Sequence, residues 1–86
     1  MEKDFIMKIL DRAIAILEEV KEVLKAFGMD EIAILRLEEA ITLIKRQRET
    51  REFQLKAEAL LEEIQKIRSE LFEVLFGEDE GENGED

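Results

Sequence analysis

The sequence predicts an all-α fold, and three observations lead to this prediction. Apolar residues recur at helical spacing along most of the chain, and the two longest runs follow an unbroken 4-3-4-3-4-3 pattern. Hydrophobic residues make up 45% and charged residues 42% of the chain, a composition typical of long helices or coiled coils. Proline is absent. We therefore expect helices at about 4–27, 30–46 and 51–76, packed as an antiparallel three-helix bundle in a single domain of residues 1–76.

The first predicted helix has a broad apolar face. Its seam consists of Ile6, Leu10, Ala13, Leu17, Val20, Leu24 and Phe27. A second row of Ile9, Ile16 and Val23 runs beside this seam. Three apolar positions per heptad make a face wider than one neighbouring helix covers, so this helix is expected to contact two or more neighbours.

A short turn is predicted after the first helix. Gly28 can adopt the left-handed conformation that ends a helix without a Cβ penalty. Asp30 is a good N-cap because its carboxylate can accept a free backbone N–H of the next helix. A turn this short makes the first two helices antiparallel neighbours.

The second predicted helix is apolar over more than half of its circumference. Its main face consists of Ala33, Ile34, Leu37, Ala40, Ile41 and Ile44. Ile32 and Leu43 extend one flank, and Leu35 lies on the far side. We expect such a helix to be the central element of the core or of an oligomer interface.

Residues 45–52 form the longest stretch without an apolar residue before the C-terminal tail, and their conformation decides the architecture. From Ile44 to Phe53 a continuous helix would rotate by about 900°, which reverses the buried face. A turn near residues 46–51, capped by Thr50, gives the three-helix bundle. The alternative is a helical hairpin with one long second helix in an intertwined dimer, which the good helix propensity of this stretch favours.

The third predicted helix ends in an apolar cluster. Its seam consists of Phe53, Ala57, Leu60, Ile64, Ile67, Leu71 and Val74. The second helix is shorter than its neighbours, so the ends of the first and third helices would stay uncovered in a monomer. The candidate partner-binding residues at that end are Leu71, Phe72, Leu75 and Phe76. Because exposed apolar patches usually mark interfaces, we expect a homodimer.

The last ten residues, 77–86, are predicted to be a disordered acidic tail. Six of the ten excess negative charges of the chain lie there, which leaves a net charge of −4 for residues 1–76. The chain has no signal-peptide h-region, and no apolar run approaches the ~20 residues that span a bilayer. We therefore expect a cytoplasmic protein without membrane contact; its depletion in Cys, His and Asn is also typical of thermophile proteins.

Catalytic chemistry lacks its usual groups in this chain. There is no Cys and no His, so neither an activated nucleophile pair nor an imidazole or thiolate metal site can form. The only hydroxyl side chains are those of Thr42, Thr50 and Ser69. The expectation is a protein that is not an enzyme and has no cofactor and no bound metal.

Two charged clusters suggest other functions. Glu18, Glu19 and Glu22 form an E-E-x-x-E string that resembles the first half of the metal-binding motif of MazG-type nucleotide pyrophosphatases. The family's second half, E-x-x-D, is missing, because Ile41 and Thr42 stand three residues after Glu38 and Glu39. The candidate contacts to a polyanion are Lys45, Arg46, Arg48, Arg51 and Lys56, the only concentration of positive charge.

We therefore expect a non-enzymatic small helical protein–protein interaction or adaptor protein that acts as a homodimer. The first alternative is a small nucleic-acid-binding regulator that uses the basic stretch 45–56. A net charge of −10 argues against general nucleic-acid coating, because phosphate binding relies on cations. The second alternative is a metal-dependent nucleotide hydrolase with the incomplete MazG-type motif.

Overall fold

A computed structural model describes residues 2–77, with side chains from residue 4 onward, and this part of the chain is all-α. The helices are α1 (Glu2–Ala26), α2 (Glu31–Gln47), α3 (Arg51–Leu55) and α4 (Ala57–Phe72), and a π-helical turn, Glu73–Gly77, follows α4. None of these helices is long and apolar enough to cross a membrane. The predicted acidic tail lies, from residue 78 onward, outside the described residues.

The turn between α1 and α2 has the predicted chemistry. Gly28 has a φ of +65°. The Gly28 N–H donates to the Lys25 carbonyl at 3.0 Å, and the Met29 N–H donates to the Leu24 carbonyl at 2.9 Å. These two bonds form a Schellman motif, which satisfies carbonyls at the end of α1. Asp30 then caps α2, since its Oδ1 accepts the Ile32 N–H at 2.9 Å.

The polar stretch 45–52 contains a second turn. Helix α2 ends at Gln47, and Thr50 is the N-cap of α3. The Thr50 hydroxyl accepts the Phe53 N–H at 3.3 Å and donates to the Gln47 carbonyl at 2.7 Å, so one side chain ties both helix ends together. The predicted turn is confirmed, and the alternative of one long second helix is wrong.

The predicted third helix, 51–76, is interrupted at Lys56. The backbone there has φ −102° and ψ 6°, and the Lys56 N–H donates to the Phe53 carbonyl three residues back. Helix α4 begins immediately afterwards at Ala57, which is 1% exposed. The sequence does not indicate this break, because Lys is a good helix former.

Helix α2 runs antiparallel to α1. The Lys21 Nζ lies 3.9 Å from the Glu38 Oε2, and the Lys45 Nζ lies 3.5 Å from the Glu18 Oε2. Glu18 is one turn before Lys21 in α1, whereas Lys45 is two turns after Glu38 in α2. The pairs therefore advance in opposite directions along the two helices. This agrees with the short turn at Gly28.

Helix α4 runs parallel to α1. Glu19 pairs with Arg68. Phe27 and Phe76 each follow eight residues later in the sequence, and their ring centroids lie 5.3 Å apart. The contacts therefore advance in the same direction along both segments. Helix α1 packs against both α2 and α4, whereas α2 and α4 make at most marginal backbone contact in the described residues. The expectation that α1 has at least two neighbours is confirmed.

The core is centred on α1. Its buried apolar residues are Ile9, Leu10, Ala13, Ile14, Ile16, Leu17, Val20 and Leu24 in α1, Ile41 and Ile44 in α2, and Ala57 and Ile64 in α4. Helix α2 was expected to be central either to the core or to an oligomer interface, and within the described residues the centre of the core is α1 instead. Because α2 packs substantially only against α1 among the described elements, only one of its faces is covered.

Candidate functional site

Helix α2 carries an exposed apolar face in addition to its buried one. Ile32 is 63% exposed, Leu35 56% and Leu43 51%. At 100° per residue, Ile32 and Leu43 lie about 20° apart around the helix axis, and Ile32 lies about 180° from the buried Ile41. These side chains therefore point away from the core, and we call this side of the helix the outer face of α2.

Two charged side chains lie between the apolar residues of the outer face. Arg36 and Glu39 are exposed, and neither has an ion-pair partner among the described residues. With Ile32 and Leu43 they form a row with 4-3-4 spacing. Such spacing keeps side chains in one line on a helix that pairs with a second helix.

The predicted partner-binding cluster at the end of α4 is largely used within the chain. Leu71, Phe72 and Leu75 are half-buried against the core. The Phe76 ring contacts the ring of Phe72 edge-on at 5.4 Å and is 49% exposed. Of the four predicted residues, Phe76 therefore offers the most surface to a partner.

A bidentate ion pair fastens α4 to α1 near that cluster. The Arg68 Nε donates to the Glu19 Oε1 at 3.0 Å, and Arg68 Nη2 donates to Glu19 Oε2 at 3.2 Å. These hydrogen bonds hold the pKa of Glu19 below its usual value and raise the pKa of Arg68. The Arg68 guanidinium also lies 4.5 Å from the Phe72 ring centroid. The pair connects α4 to α1 but is too exposed to contribute much stability.

The acidic string of α1 is directed toward two different helices. Glu18 pairs with Lys45 of α2, and Glu19 pairs with Arg68 of α4. Among the described residues there is no group of three or more carboxylates placed to hold a metal ion. Glu18 and Glu19 therefore form ion pairs between helices.

The basic stretch is divided by the second turn and largely paired. Lys45 pairs with Glu18 at 3.5 Å, Arg48 with Asp11, and Lys56 with Glu52 at 3.6 Å. The two remaining cations, Arg46 and Arg51, are exposed and have no ion pair within the described part of the chain. They stand on different helices and leave little concentrated positive charge for a polyanion.

The outer face of α2 was only partly visible in the sequence. The sequence places Leu35 on the far side and Ile32 and Leu43 on a flank, which is the signal that points to this face. The residues that sequence reasoning missed are Arg36 and Glu39, two oppositely charged, exposed side chains without an ion pair among the described residues that lie in line with Ile32 and Leu43. Comparison of the chain with protein-family models, with curated proteins and with solved structures found no match.

Proposed function

We propose that this chain is a non-enzymatic helical interaction protein, an antiparallel three-helix bundle that acts as a homodimer. The observation that carries the proposal is the outer face of α2, where Ile32, Leu35 and Leu43 are each more than half exposed on the side opposite the core. Single exposed apolar residues are common on protein surfaces. Several on one helix face are typical of an interaction surface.

The fold presents this face as a preformed surface. Asp30 caps the start of α2, and Thr50 accepts and donates hydrogen bonds across the turn at its end. The ion pairs Lys21–Glu38 and Lys45–Glu18 join α2 to α1, one at the middle of α2 and one near its C-terminal end. A helix held in this way loses little conformational entropy when it binds, which favours association.

The charge distribution supports a protein partner over a nucleic acid. The chain has a net charge of −10. Three of the five cations in the basic stretch already neutralise carboxylates of the same chain. Binding to a phosphate backbone depends on unpaired Lys and Arg, of which this stretch offers only Arg46 and Arg51.

Light scattering after size exclusion tests the proposal. We expect a mass of twice the 10.1 kDa of one chain, decreasing toward one chain mass on dilution. The dissociated chain should bind a hydrophobic dye, because dissociation uncovers the outer face of α2. A wild-type chain that stays monomeric at every concentration would contradict the proposal.

A further inference from the structure

We propose that the outer face of α2 is the surface on which a second copy of this chain docks, with the two α2 helices antiparallel. The inference rests on the proposed homodimer and specifies its interface. The contact row consists of Ile32, Arg36, Glu39 and Leu43. All four residues are exposed, and the neighbouring α1 lies on the opposite side of α2.

The spacing of the row determines which residues meet. In an antiparallel pair whose two-fold axis passes between Leu37 and Glu38, Ile32 faces Leu43 of the second copy and Arg36 faces Glu39 of the second copy. Two-fold symmetry repeats both contacts. The result is four layers, of which the outer two are apolar and the inner two are ion pairs.

Charge complementarity selects this orientation. A parallel pair in the same register would place Arg36 opposite Arg36 and Glu39 opposite Glu39, and like charges that face each other across an interface are strongly unfavourable. The antiparallel pair instead gives each charge a partner of opposite sign. Within the described residues neither side chain has a partner of its own, so no intrachain ion pair is broken.

The interface also sets the expected strength of the dimer. One pair of short helices buries less than the ~1,600 Å² of a standard interface. Leu35 beside the row adds apolar surface on one flank. We therefore expect a dimer that dissociates on dilution rather than a permanent one.

Two charge reversals test the interface when each variant is studied alone and when the two are mixed. Arg36→Glu gives one chain two acidic positions in the row, and Glu39→Arg gives another chain two basic ones. In sedimentation equilibrium, each variant alone should self-associate at least about tenfold more weakly than the wild type, because like charges face each other. An equimolar mixture of the two should form heterodimers, since opposite charges meet at both inner layers.

Lys66→Glu is the matched control, because Lys66 is an exposed cation of α4 outside the row. It should dimerise like the wild type. Recovery of association in the mixture also shows that both single variants are folded, because unfolded chains would not restore it. If the wild type is dimeric and the single variants dimerise equally well, the interface is wrong while the proposed function stands. A monomeric wild type would overturn both.

Discussion

Replacing Leu10 by Ala is expected to lower the free energy of unfolding by about 2–5 kcal/mol. Leu10 is 0% exposed and is, among the residues that the structure describes, the largest side chain that is completely enclosed. It lies in α1, the helix that packs against both α2 and α4. Truncation of the Leu10 side chain leaves a cavity in a small core. The neighbouring side chains can fill this cavity only in part.

Urea unfolding at one fixed protein concentration measures this effect, because dimerisation makes apparent stability depend on concentration. Leu55→Ala is the matched control, since Leu55 is 73% exposed and the same atoms are removed. Its free energy of unfolding should change by no more than about 0.5 kcal/mol. Equal losses for Leu10→Ala and Leu55→Ala would show that α1 is not the centre of the core.

Enlarging Ala13 to Leu is expected to destabilise the fold by about 1–3 kcal/mol. Ala13 is 0% exposed and belongs to the apolar cluster that α1 forms with its neighbours. A Leu side chain at this position has no space, so it must separate the helices or adopt a strained rotamer. The increase in hydrophobic surface therefore does not stabilise the protein.

Thermal unfolding of Ala13→Leu and Ala15→Leu separates this effect from helix propensity. Ala15 lies two residues further along α1 and is exposed, so its replacement adds the same atoms without crowding. We expect a clear fall in Tm for Ala13→Leu and nearly unchanged Tm for Ala15→Leu. A Tm for Ala13→Leu at or above that of the wild type would contradict the tight packing described for α1.

The turns of this fold were predictable because each depends on a few neighbouring residues. Gly28 and Asp30 carry the first turn, and Thr50 carries the second. A left-handed glycine and a capping side chain act within three or four residues, so the sequence contains their whole mechanism. The reversal of the apolar face between Ile44 and Phe53 supported the second turn independently.

The relative positions of the helices were less predictable, because they depend on contacts between distant residues. The distribution of apolar residues around α2 indicates that the helix has more than one apolar face. It does not indicate which of these faces the fold buries. The structure covers the face of Ile41 and Ile44 and leaves that of Ile32 and Leu43 exposed. The interruption at Lys56 likewise has no local cause in the sequence, since it occurs between good helix formers.

The exposure of the apolar helix surfaces could be predicted only in part. Exposed apolar helix surface was expected at Leu71, Phe72, Leu75 and Phe76, and the first three are half-buried within the fold. The importance of Arg36 and Glu39 depends on which other charges are paired. Which charges are paired is known only from the structure, in which Lys21, Lys45, Arg48 and Arg68 each form an ion pair with a carboxylate.

The distance between spin labels in the dimer shows whether two α2 helices pair in antiparallel orientation. The chain has no Cys, so a single label can be placed at Glu31→Cys, an exposed position at the start of α2 outside the contact row. Antiparallel α2 helices with the axis between Leu37 and Glu38 place the two labelled positions about 20 Å apart along the helices. With a separation of about 10 Å between the helix axes, electron–electron double resonance should give a distance of about 20–25 Å. Labels about 10 Å apart, detected as dipolar broadening of the continuous-wave spectrum, would indicate parallel helices, and a distance beyond about 40 Å would place the interface elsewhere on the chain. Either result would contradict an antiparallel α2 interface.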